Sequence, residues 1–442
     1  MKRFALIILA VLLTSGFIFP FSFTFFPAQN TKNILAAVGM ATYFYKLVIN
    51  KERISSTRGT FAVFIMSFAV SFMALFTMIY HNTSDSTYVS YPFTLIIWLC
   101  AGYVVVSAIK SIHGYASVAL VTQYLTAVAV MQCIVALLID NIPAFENWVN
   151  SWMFMGREYW AKSGRMYGIG CGLDVAGVRF SGILLMLSHL CYEAACERNR
   201  KRLFSGLLCF AIITVVGNMI SRTTLVGVGA GLVLWMLLGL IPTKKAILDI
   251  SVLWGWLIMV VASVALVCTA LYNSSDKVRQ NLRFGFEGFF SLVEKGHWET
   301  NSNNELKKMV IWPDNPGTWI LGDGYMLDPA SVEGYLINND VKGDYVYMGT
   351  DIGYCRFIFY FGIVGLLVFT AYFAVAAAAC GARAPSKKIC FFMLWVINMV
   401  VWAKVTTDIF AVLSIFLLTD IETDEGEEDD ENEFAIAEEA VA

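Results

Sequence analysis

The stretch TDIGYCRFIFYFGIVG, residues 350–365, marks the boundary between two kinds of sequence in this chain. It ends a polar segment that begins near Asn273, and it opens an apolar run long enough to cross a bilayer as a helix. Asp351 and Arg356 lie at this boundary, where a carboxylate and a guanidinium are costly unless they are paired or used. The stretch therefore predicts a long water-facing segment that carries charge into the start of a membrane helix.

Composition places the rest of the chain in a membrane as well. Of 442 residues, 58% are hydrophobic and 15% are charged, against about 25% charged in soluble domains, and the mean hydropathy is +0.65. Apolar runs of roughly 17 to 25 residues recur, and because they are continuous rather than alternating they indicate helices, not a barrel. We predict an all-α polytopic membrane protein with about 12 transmembrane helices. The predicted spans are 4–24, 34–50, 60–80, 93–109, 115–139, 177–196, 203–220, 222–241, 247–272, 352–379, 389–403 and 407–419.

Basic residues predict the orientation of these spans. With a cytoplasmic N-terminus, the short inside connections all hold Lys or Arg, as the positive-inside rule requires. Two long connections, 140–176 and 273–351, then lie on the outer, periplasmic face, and residues 1–419 form one transmembrane domain. Residues 420–442 carry twelve acidic and no basic side chains, and we expect this tail to be cytoplasmic and disordered. The inside basic residues are Lys51, Arg53 and Arg58; Lys110; Arg198, Arg200, Lys201 and Arg202; Lys244 and Lys245; and Arg383, Lys387 and Lys388.

The motifs argue against several kinds of site. The ten Cys lie mostly in apolar runs without a CxxC pair, so neither a disulfide framework nor a zinc site is predicted. The glycines of residues 168–172 lack the strand and helix context of a nucleotide fingerprint, and no clustered carboxylates form a metal cage. We therefore expect no cofactor, no metal and no nucleic-acid partner.

The outer connections carry aromatic, amide and glycine residues, as in WPDNPGTW at 312–319. Such surfaces suit sugars, whose C–H faces stack on rings while their hydroxyls bond to amides and carboxylates. A belt of Trp and Tyr at the membrane interface is the alternative interpretation.

Arginines on the outer side are candidate anion ligands. Arg222 lies between Ser221 and Thr223 at a helix start, where helix-terminal amides and a guanidinium together favour an anion. The alternative is an anchor that reaches the phosphate layer of the lipid. Arg165 stands among glycines without a neighbouring acid, which makes it a second candidate.

Two carboxylates on this side have competing interpretations. Asp174 could form a structural salt bridge with Arg179, which falls just inside a helix. Asp351 could cap the helix that follows it, or Thr350 could cap it and leave Asp351 free for chemistry. Asp351 and Arg356 are five residues apart, too far round a helix for the usual pair. Other outer groups that could move a proton are Glu305, Asp323, Glu333 and His297.

Several arginines and one carboxylate on the predicted outer face suggest a chemical hypothesis. A diphosphate leaving group gains negative charge as its bond to a sugar breaks, and fixed guanidinium groups stabilise that gain. A carboxylate would take the proton of the acceptor hydroxyl. The residues therefore predict glycosyl transfer from a lipid diphosphate.

Three motifs resemble those of the O-antigen polymerase and ligase superfamily, most of all the capsular and O-antigen polysaccharide polymerases of Bacteroides-type bacteria. They are GRMYG at 164–168, SRTTL at 221–225, and YMGTDIGY at 347–354 before FGIVGL at 361–366. The resemblance implies a metal-independent helical glycosyltransferase. Its substrates would be undecaprenyl-diphosphate-linked oligosaccharides at the periplasmic face of the bacterial inner membrane.

The resemblance also implies roles for individual residues. Arg165 and Arg222 match arginines that hold the diphosphate in the ligase branch. That branch has a His-Asn pair eleven residues before the first Gly of its Gly-Ile-Ile-Gly helix; counting back eleven from Gly362 gives Asp351, followed by Ile352. Asp351 in place of His favours a polymerase over a ligase. We further expect substrate contacts from Arg356, Arg179, Ser221, Thr223, Tyr354 and Tyr347.

The leading hypothesis is a polymerase that transfers a growing glycan from its lipid diphosphate to the next lipid-linked repeat unit. A ligase that moves finished glycan to lipid A core or another acceptor is the alternative. A flippase is disfavoured because the charges gather at outer helix ends rather than at the midplane. Expected partners are the lipid-linked donor and acceptor, the bilayer and a chain-length regulator.

Overall fold

The computed structural model describes residues 2–50, 57–154, 165–240, 244–328 and 346–422, and 78% of the structure is helical. Helices form along the apolar runs because a helix satisfies its own backbone hydrogen bonds in lipid. In chain order they are α1 (Lys2–Ile18), α2 (Thr31–Tyr45), α3 (Arg58–Tyr80), α4 (Tyr91–His113), α5 (Val118–Asn141), α6 (Pro143–Trp152), α7 (Leu173–Cys196), α8 (Arg200–Ile220), α9 (Thr224–Gly239), α10 (Lys244–Ser274), α11 (Asp276–Gly285), α12 (Glu287–Lys295), α13 (Asn301–Lys308), α14 (Pro316–Leu321), α15 (Gly353–Arg383), α16 (Lys388–Trp402) and α17 (Phe410–Phe416).

The helices of membrane length confirm the all-α membrane class but not the count of twelve. Within the described residues, eight helices are long and apolar enough to cross a membrane: α3, α4, α5, α7, α8, α10, α15 and α16. Helices α1 and α9 are apolar but shorter. The predicted span 407–419 contains only α17, whose seven residues rise roughly 10 Å. The predicted span 34–50 contains α2 followed by a π-helical turn, Lys46–Asn50.

Helix α7 is the most buried of these membrane-length helices. In its most apolar stretch 83% of the residues are buried inside the protein, against 17% for α10. It packs against α5, α8, α9, α10 and α16. Gly227 permits the close approach of α9, since a Cβ there would lie 2.2 Å from the Cα of Ser181. Helix α7 therefore forms the frame that positions the residues at both of its ends.

The described parts of the two predicted outer connections contain short helices, where long loops were predicted. The first, 140–176, contains α6, and α7 begins inside it. The second, 273–351, contains α11, α12, α13 and α14. A small antiparallel sheet, which was not predicted, has the order β2-β1-β3. Its strands are β1 (Ser22–Phe23), β2 (Phe26–Asn30) and β3 (Met153–Phe154).

Helix α15 is broken at Gly362, inside the stretch quoted first. Gly362 has φ +67°, which favours glycine, and a Cβ there would lie 2.1 Å from the carbonyl oxygen of Ile320 in α14. Near the break, the carbonyl oxygen of Phe359 accepts a hydrogen bond of 2.6 Å from the backbone N–H of Asp323. The second outer connection is therefore joined to the membrane helix at its kink.

Two of the predicted inside connections meet the start of the acidic tail at one end of the bundle. The Nζ of Lys110 lies 2.7 Å from the carboxylate of Asp420, and the Nζ of Lys387 lies 2.9 Å from that of Glu422. The first residues of the predicted disordered tail are thus held by basic side chains. Residues 423–442 lie outside the described residues.

Candidate functional site

A charged cleft of about 850 Å³ lies at the N-terminal end of α7, the predicted outer end, opposite the end where the start of the acidic tail is held. Its walls come from the start of α7, the turn between α8 and α9, helices α11 to α13, and the segments that precede α15 and follow α16. It brings together four predicted site residues, Arg165, Ser221, Arg222 and Asp351. Its other charged residues are Asp174, Arg283, Glu287, Glu294, Lys295, Glu299, Glu305 and Lys404.

The corner between α8 and α9 presents Arg222 to this cleft. The hydroxyls of Ser221 and Thr223 donate hydrogen bonds to Oδ1 of Asp174, at 3.3 and 2.6 Å. Gly177 makes room for the corner, since a Cβ there would lie 2.5 Å from the Oγ of Ser221. The two hydroxyls therefore fix the corner against α7, on either side of the arginine.

Asp174 also forms an ion pair with Lys404, which sequence analysis did not identify as a site residue. The Nζ of Lys404 lies 2.6 Å from Oδ1 of Asp174 and 3.1 Å from Oγ1 of Thr223. Asp174 thus pairs with Lys404 and not with Arg179, which was one of the two interpretations of that arginine. Five residues turn a helix by about 140° beyond a full circle, so these two side chains point in different directions.

Arg222 is held between an acid and an aromatic ring. Its guanidinium forms an ion pair with the carboxylate of Glu287, the first residue of α12. Its Cζ lies 4.6 Å from the centroid of the Phe284 ring, and the Cζ of Arg165 lies 5.2 Å from the same centroid. One ring therefore orients two guanidinium groups through cation–π contacts. An anion between them would meet two fixed positive charges.

Asp351 is exposed at the wall of the cleft. It makes no hydrogen bond or ion pair with any part of the chain that the structure describes. The hydroxyl of Thr350 instead accepts the backbone N–H of Ile352, at 3.2 Å, and donates to the carbonyl oxygen of Met309, at 2.7 Å. Thr350 thus makes the polar bond at this helix start, which leaves the carboxylate of Asp351 available within the cleft.

Three other acids of the cleft are paired with cations. The hydrogen bond from Lys295 is the main cause that lowers the pKa of Glu299 to about 2, so this carboxylate is a weak base. His297, a predicted proton-transfer group, lies 3.5 Å from Glu299 and outside the cleft wall. Glu333, another, lies outside the described residues. The three pairs are Arg283–Glu294 at 2.8 Å, Lys295–Glu299 at 2.7 Å and Lys308–Glu305 at 2.7 Å.

Besides Thr223 of the corner, four predicted substrate-binding residues do not line the cleft wall. Tyr347 donates a hydrogen bond of 3.2 Å to Asp323, and burial, followed by the charge of that acid, raises the pKa of Tyr347 to about 12. Arg356 donates to a backbone carbonyl of the outer connection, at 3.4 Å. Tyr354 donates to a backbone carbonyl of α16, at 2.8 Å. These three contacts join structural elements, and the fourth residue, Arg179, is buried in α7.

An apolar groove of about 1020 Å³ runs between α8, α9 and α10 towards α11 and α12. It meets the charged cleft at Phe290 of α12, which lines both. Helix α10 lines one side of the groove and is the least buried of the membrane-length helices that the structure describes, so the rest of the protein covers this side least. Its lining includes Phe210, Leu232, Trp254, Leu257 and Val261.

These features define an integral membrane protein with an arginine-bearing cleft at the start of α7, where an apolar groove ends. No protein-family model, no curated protein and no solved structure matches the chain.

Proposed function

We propose that the chain is a glycosyltransferase that polymerises undecaprenyl-diphosphate-linked repeat units on the periplasmic face of a bacterial inner membrane. The meeting of the charged cleft and the apolar groove at Phe290 carries this proposal. A lipid diphosphate has a matching pair of parts, because its polyprenyl chain suits the groove and its anion suits Arg165 and Arg222. The sugar would then extend into the cleft, away from the membrane.

In this proposal, Arg165 and Arg222 bind the diphosphate of the donor. The bond between the anomeric carbon and the diphosphate oxygen breaks during transfer, and the oxygen keeps the electron pair. Guanidinium groups that are already oriented on the ring of Phe284 stabilise this growing charge without having to move. Glu287, which pairs with Arg222, has to share or yield that guanidinium when the diphosphate binds.

Asp351 is the proposed general base. The hydroxyl oxygen of the acceptor attacks the anomeric carbon and forms the new glycosidic bond, while its proton passes to the carboxylate of Asp351. Glu299, another acid of the cleft, is a weaker base, since its hydrogen bond from Lys295 stabilises the ionised form. Water in the open cleft then removes the proton from Asp351.

Deleting the gene tests the class of reaction. A polymerase predicts that single lipid-linked repeats accumulate and that the ladder of chain lengths disappears, as measured by mass spectrometry of lipid-linked glycans. Long lipid-linked chains without a final conjugate would indicate the ligase alternative. Repeat units trapped on the cytoplasmic leaflet would indicate a flippase. An unchanged ladder, in a strain without a second polymerase, would contradict the proposal.

The substitution Asp351→Asn tests the base. It should lower the rate of chain extension in proteoliposomes about 100-fold while lipid diphosphate binding is retained, because an amide keeps the shape but cannot accept the proton. Asp314→Asn is the matched control, since Asp314 is an exposed acid of the outer connection that does not line the cleft. Equal rates in the two variants would exclude Asp351 as the base.

A further inference from the structure

Another cavity, which we call the inner groove, lies at the opposite end of α7 from the charged cleft. It has a volume of about 720 Å³ and lies between α5 and α8, and the side chains that α7 contributes to it are buried. All three helices are long and apolar enough to cross a membrane. The groove is lined by Gln123, Thr126 and Ala127 of α5; Leu187, Leu190 and Cys191 of α7; Asn199; and Lys201, Arg202, Ser205, Gly206 and Cys209 of α8.

Small side chains keep the inner groove open. Ala127, Ser205 and Gly206 leave space where longer side chains would fill the gap between α5 and α8. Gly206 also lets α8 lie close to α7, since a Cβ there would lie 2.8 Å from Sγ of Cys191. Packed helices normally leave few voids larger than a water molecule. The inner groove is far larger than such a void, so it has room for part of a lipid.

The polarity of the inner groove changes with depth. Asn199, Lys201 and Arg202 line it where α8 begins. Cys209 lies seven residues beyond Arg202, which is roughly 10 Å further along the helix. Leu187 of α7 lies nine residues inside the end of its own helix. The groove therefore has a charged end at the helix termini and a mainly apolar part deeper in the bundle, as an amphiphile requires.

The charged end of the inner groove is positive. Lys201 is exposed and makes no hydrogen bond or ion pair within the part of the chain that the structure describes. Arg202 pairs with Glu197 at 2.9 Å, and its side chain is still 32% exposed. No Asp or Glu occurs among the described residues that line the groove. A negatively charged head group therefore fits this end, whereas the cation of a zwitterionic head group would find no acid in the wall.

We propose that the inner groove binds one anionic phospholipid. The phosphate of the lipid accepts hydrogen bonds from Lys201, the exposed amide of Gln123 binds the oxygens of its head group, and an acyl chain begins over Leu187 and Leu190. Basic cavities between transmembrane helices on the cytoplasmic side are suited to anionic head groups. The bound lipid fills the gap between α5 and α8, and it does so whether or not the cleft transfers glycans.

Lipid binding to the purified full chain tests this site without requiring turnover. The chain is freed of lipid in detergent, and phosphatidylglycerol or phosphatidylcholine is titrated into it while native mass spectrometry counts the bound lipids. We expect one phosphatidylglycerol per chain, bound at least about tenfold more tightly than phosphatidylcholine, because only the first head group has a net charge. Equal affinity for the two lipids would overturn the proposal.

The substitution Lys201→Gln tests the contact with the head group. It should weaken phosphatidylglycerol binding about tenfold, because a charge-assisted hydrogen bond to the phosphate is lost. Arg200→Gln is the matched control, since Arg200 is also exposed but does not line the groove, and its affinity should stay within about twofold of the native chain. Equal losses in the two variants would assign the binding to the general positive charge of this surface and would overturn the site.

The substitution Ala127→Trp tests whether the lipid occupies the groove. An indole at this exposed wall position should fill the space and weaken phosphatidylglycerol binding at least about tenfold. Ile134→Trp is the matched control, because Ile134 is exposed seven residues further along α5 and lies outside the groove. If thermal unfolding shows that Ala127→Trp does not fold, Ala127→Leu replaces it. Native affinity in the folded variant would contradict the proposal.

Two other occupants predict different results. Displacement of phosphatidylglycerol by an equal concentration of inorganic phosphate would indicate a site for a free anion. A second copy of the chain in the groove would give dimers in lipid-free detergent, and Ala127→Trp would separate them. Either result would overturn the assignment to a phospholipid.

Discussion

The two ends of α7 carry the same kind of ion pair in different surroundings. At the C-terminal end, which is the predicted inner end, Glu193 lies 3.0 Å from Lys387. At the N-terminal end, which is the predicted outer end, Asp174 lies 2.6 Å from Lys404. The two lysines flank α16. Lys387 is 8% exposed and also contacts Glu422, whereas Lys404 is 27% exposed and borders the cleft. The inner ion pair is buried and joins helices to each other. The outer ion pair supports the corner between α8 and α9, which faces the cleft.

Because the two ends differ in this way, we expect one end of α7 to contribute mainly to stability and the other mainly to the reaction. We call the ion pairs around Glu193, Lys387, Glu422 and Arg202 the inner network. Its basic residues balance the charge of its acids, so removing one basic residue leaves a partly buried carboxylate with fewer partners. At the outer end, Asp351 forms no hydrogen bond or ion pair within the described residues, and Arg222 lines the cleft while it pairs with Glu287. Substitutions at the inner end should therefore alter folding, and substitutions at the outer end should alter turnover.

The largest expected effect is that of Arg222→Lys. This change keeps the charge but loses the planar fork and the contact with Phe284, so chain extension should fall about 10²–10³-fold with normal membrane insertion. The rate is measured in proteoliposomes. Arg202→Lys, in the inner network, is the matched control, and equal rates in both variants would remove Arg222 from the site.

Lys387→Met should have the next largest effect, on stability. Loss of this cation leaves Glu193 with weaker partners, so the free energy of unfolding should fall by about 2–3 kcal/mol. Thermal unfolding in detergent measures the change. Turnover per folded molecule should stay within about twofold of the native chain, and a selective loss of turnover would contradict the assignment of this ion pair to packing.

Lys404→Met should show the reverse pattern. The corner keeps its two hydroxyl bonds to Asp174 but loses the charge that orients them, so turnover should fall about tenfold and the free energy of unfolding by less than about 1 kcal/mol. Chain extension and thermal unfolding are measured on the same preparation. Lys308→Met, which removes an exposed pair, is the control. If Lys404→Met were as unstable as Lys387→Met but had native turnover, the two ends of α7 would not differ in their roles.

The smallest expected effect concerns the start of the acidic tail. Partial burial acts to raise the pKa of Asp420, but hydrogen bonds from Lys110 and from the backbone of Ala116 outweigh it and hold the pKa below its usual value. A lowered pKa stabilises the fold above about pH 4, and this contribution is lost as the pH falls through the lowered value. Because the pair is exposed, Asp420→Asn should cost less than about 1 kcal/mol. It should also flatten stability below pH 4, as acid titration of thermal unfolding would show.

The sequence predicted features that depend on local pattern. The apolar runs predicted the membrane helices. Isolated charges near the predicted outer ends identified Arg165, Arg222 and Asp351 as candidate site residues, and all three line one cleft. Lys404 and Glu287 were missed because their partners lie 230 and 65 residues away. Periodicity describes one helix and carries no information on which helices meet.

Two errors have local causes. The helices of the second outer connection are short and surrounded by polar residues, so they lack the long apolar pattern that identifies a span. An ion pair between Asp174 and Arg179 was kept as an alternative although they are five residues apart, the same spacing that argued against a pair between Asp351 and Arg356. Helical geometry alone could have excluded that ion pair.

In the proposed function, the weakly covered side of the apolar groove determines how the lipid substrate is supplied. A lipid that enters sideways never leaves the hydrocarbon, which avoids about 0.8 kcal/mol for each CH₂ group that would otherwise contact water. Encounter is then a two-dimensional search within one leaflet, so its rate depends on the number of lipid carriers per unit of membrane area. Cells that enlarge their membrane without making more carrier should therefore elongate these glycans more slowly, even with the same number of protein molecules.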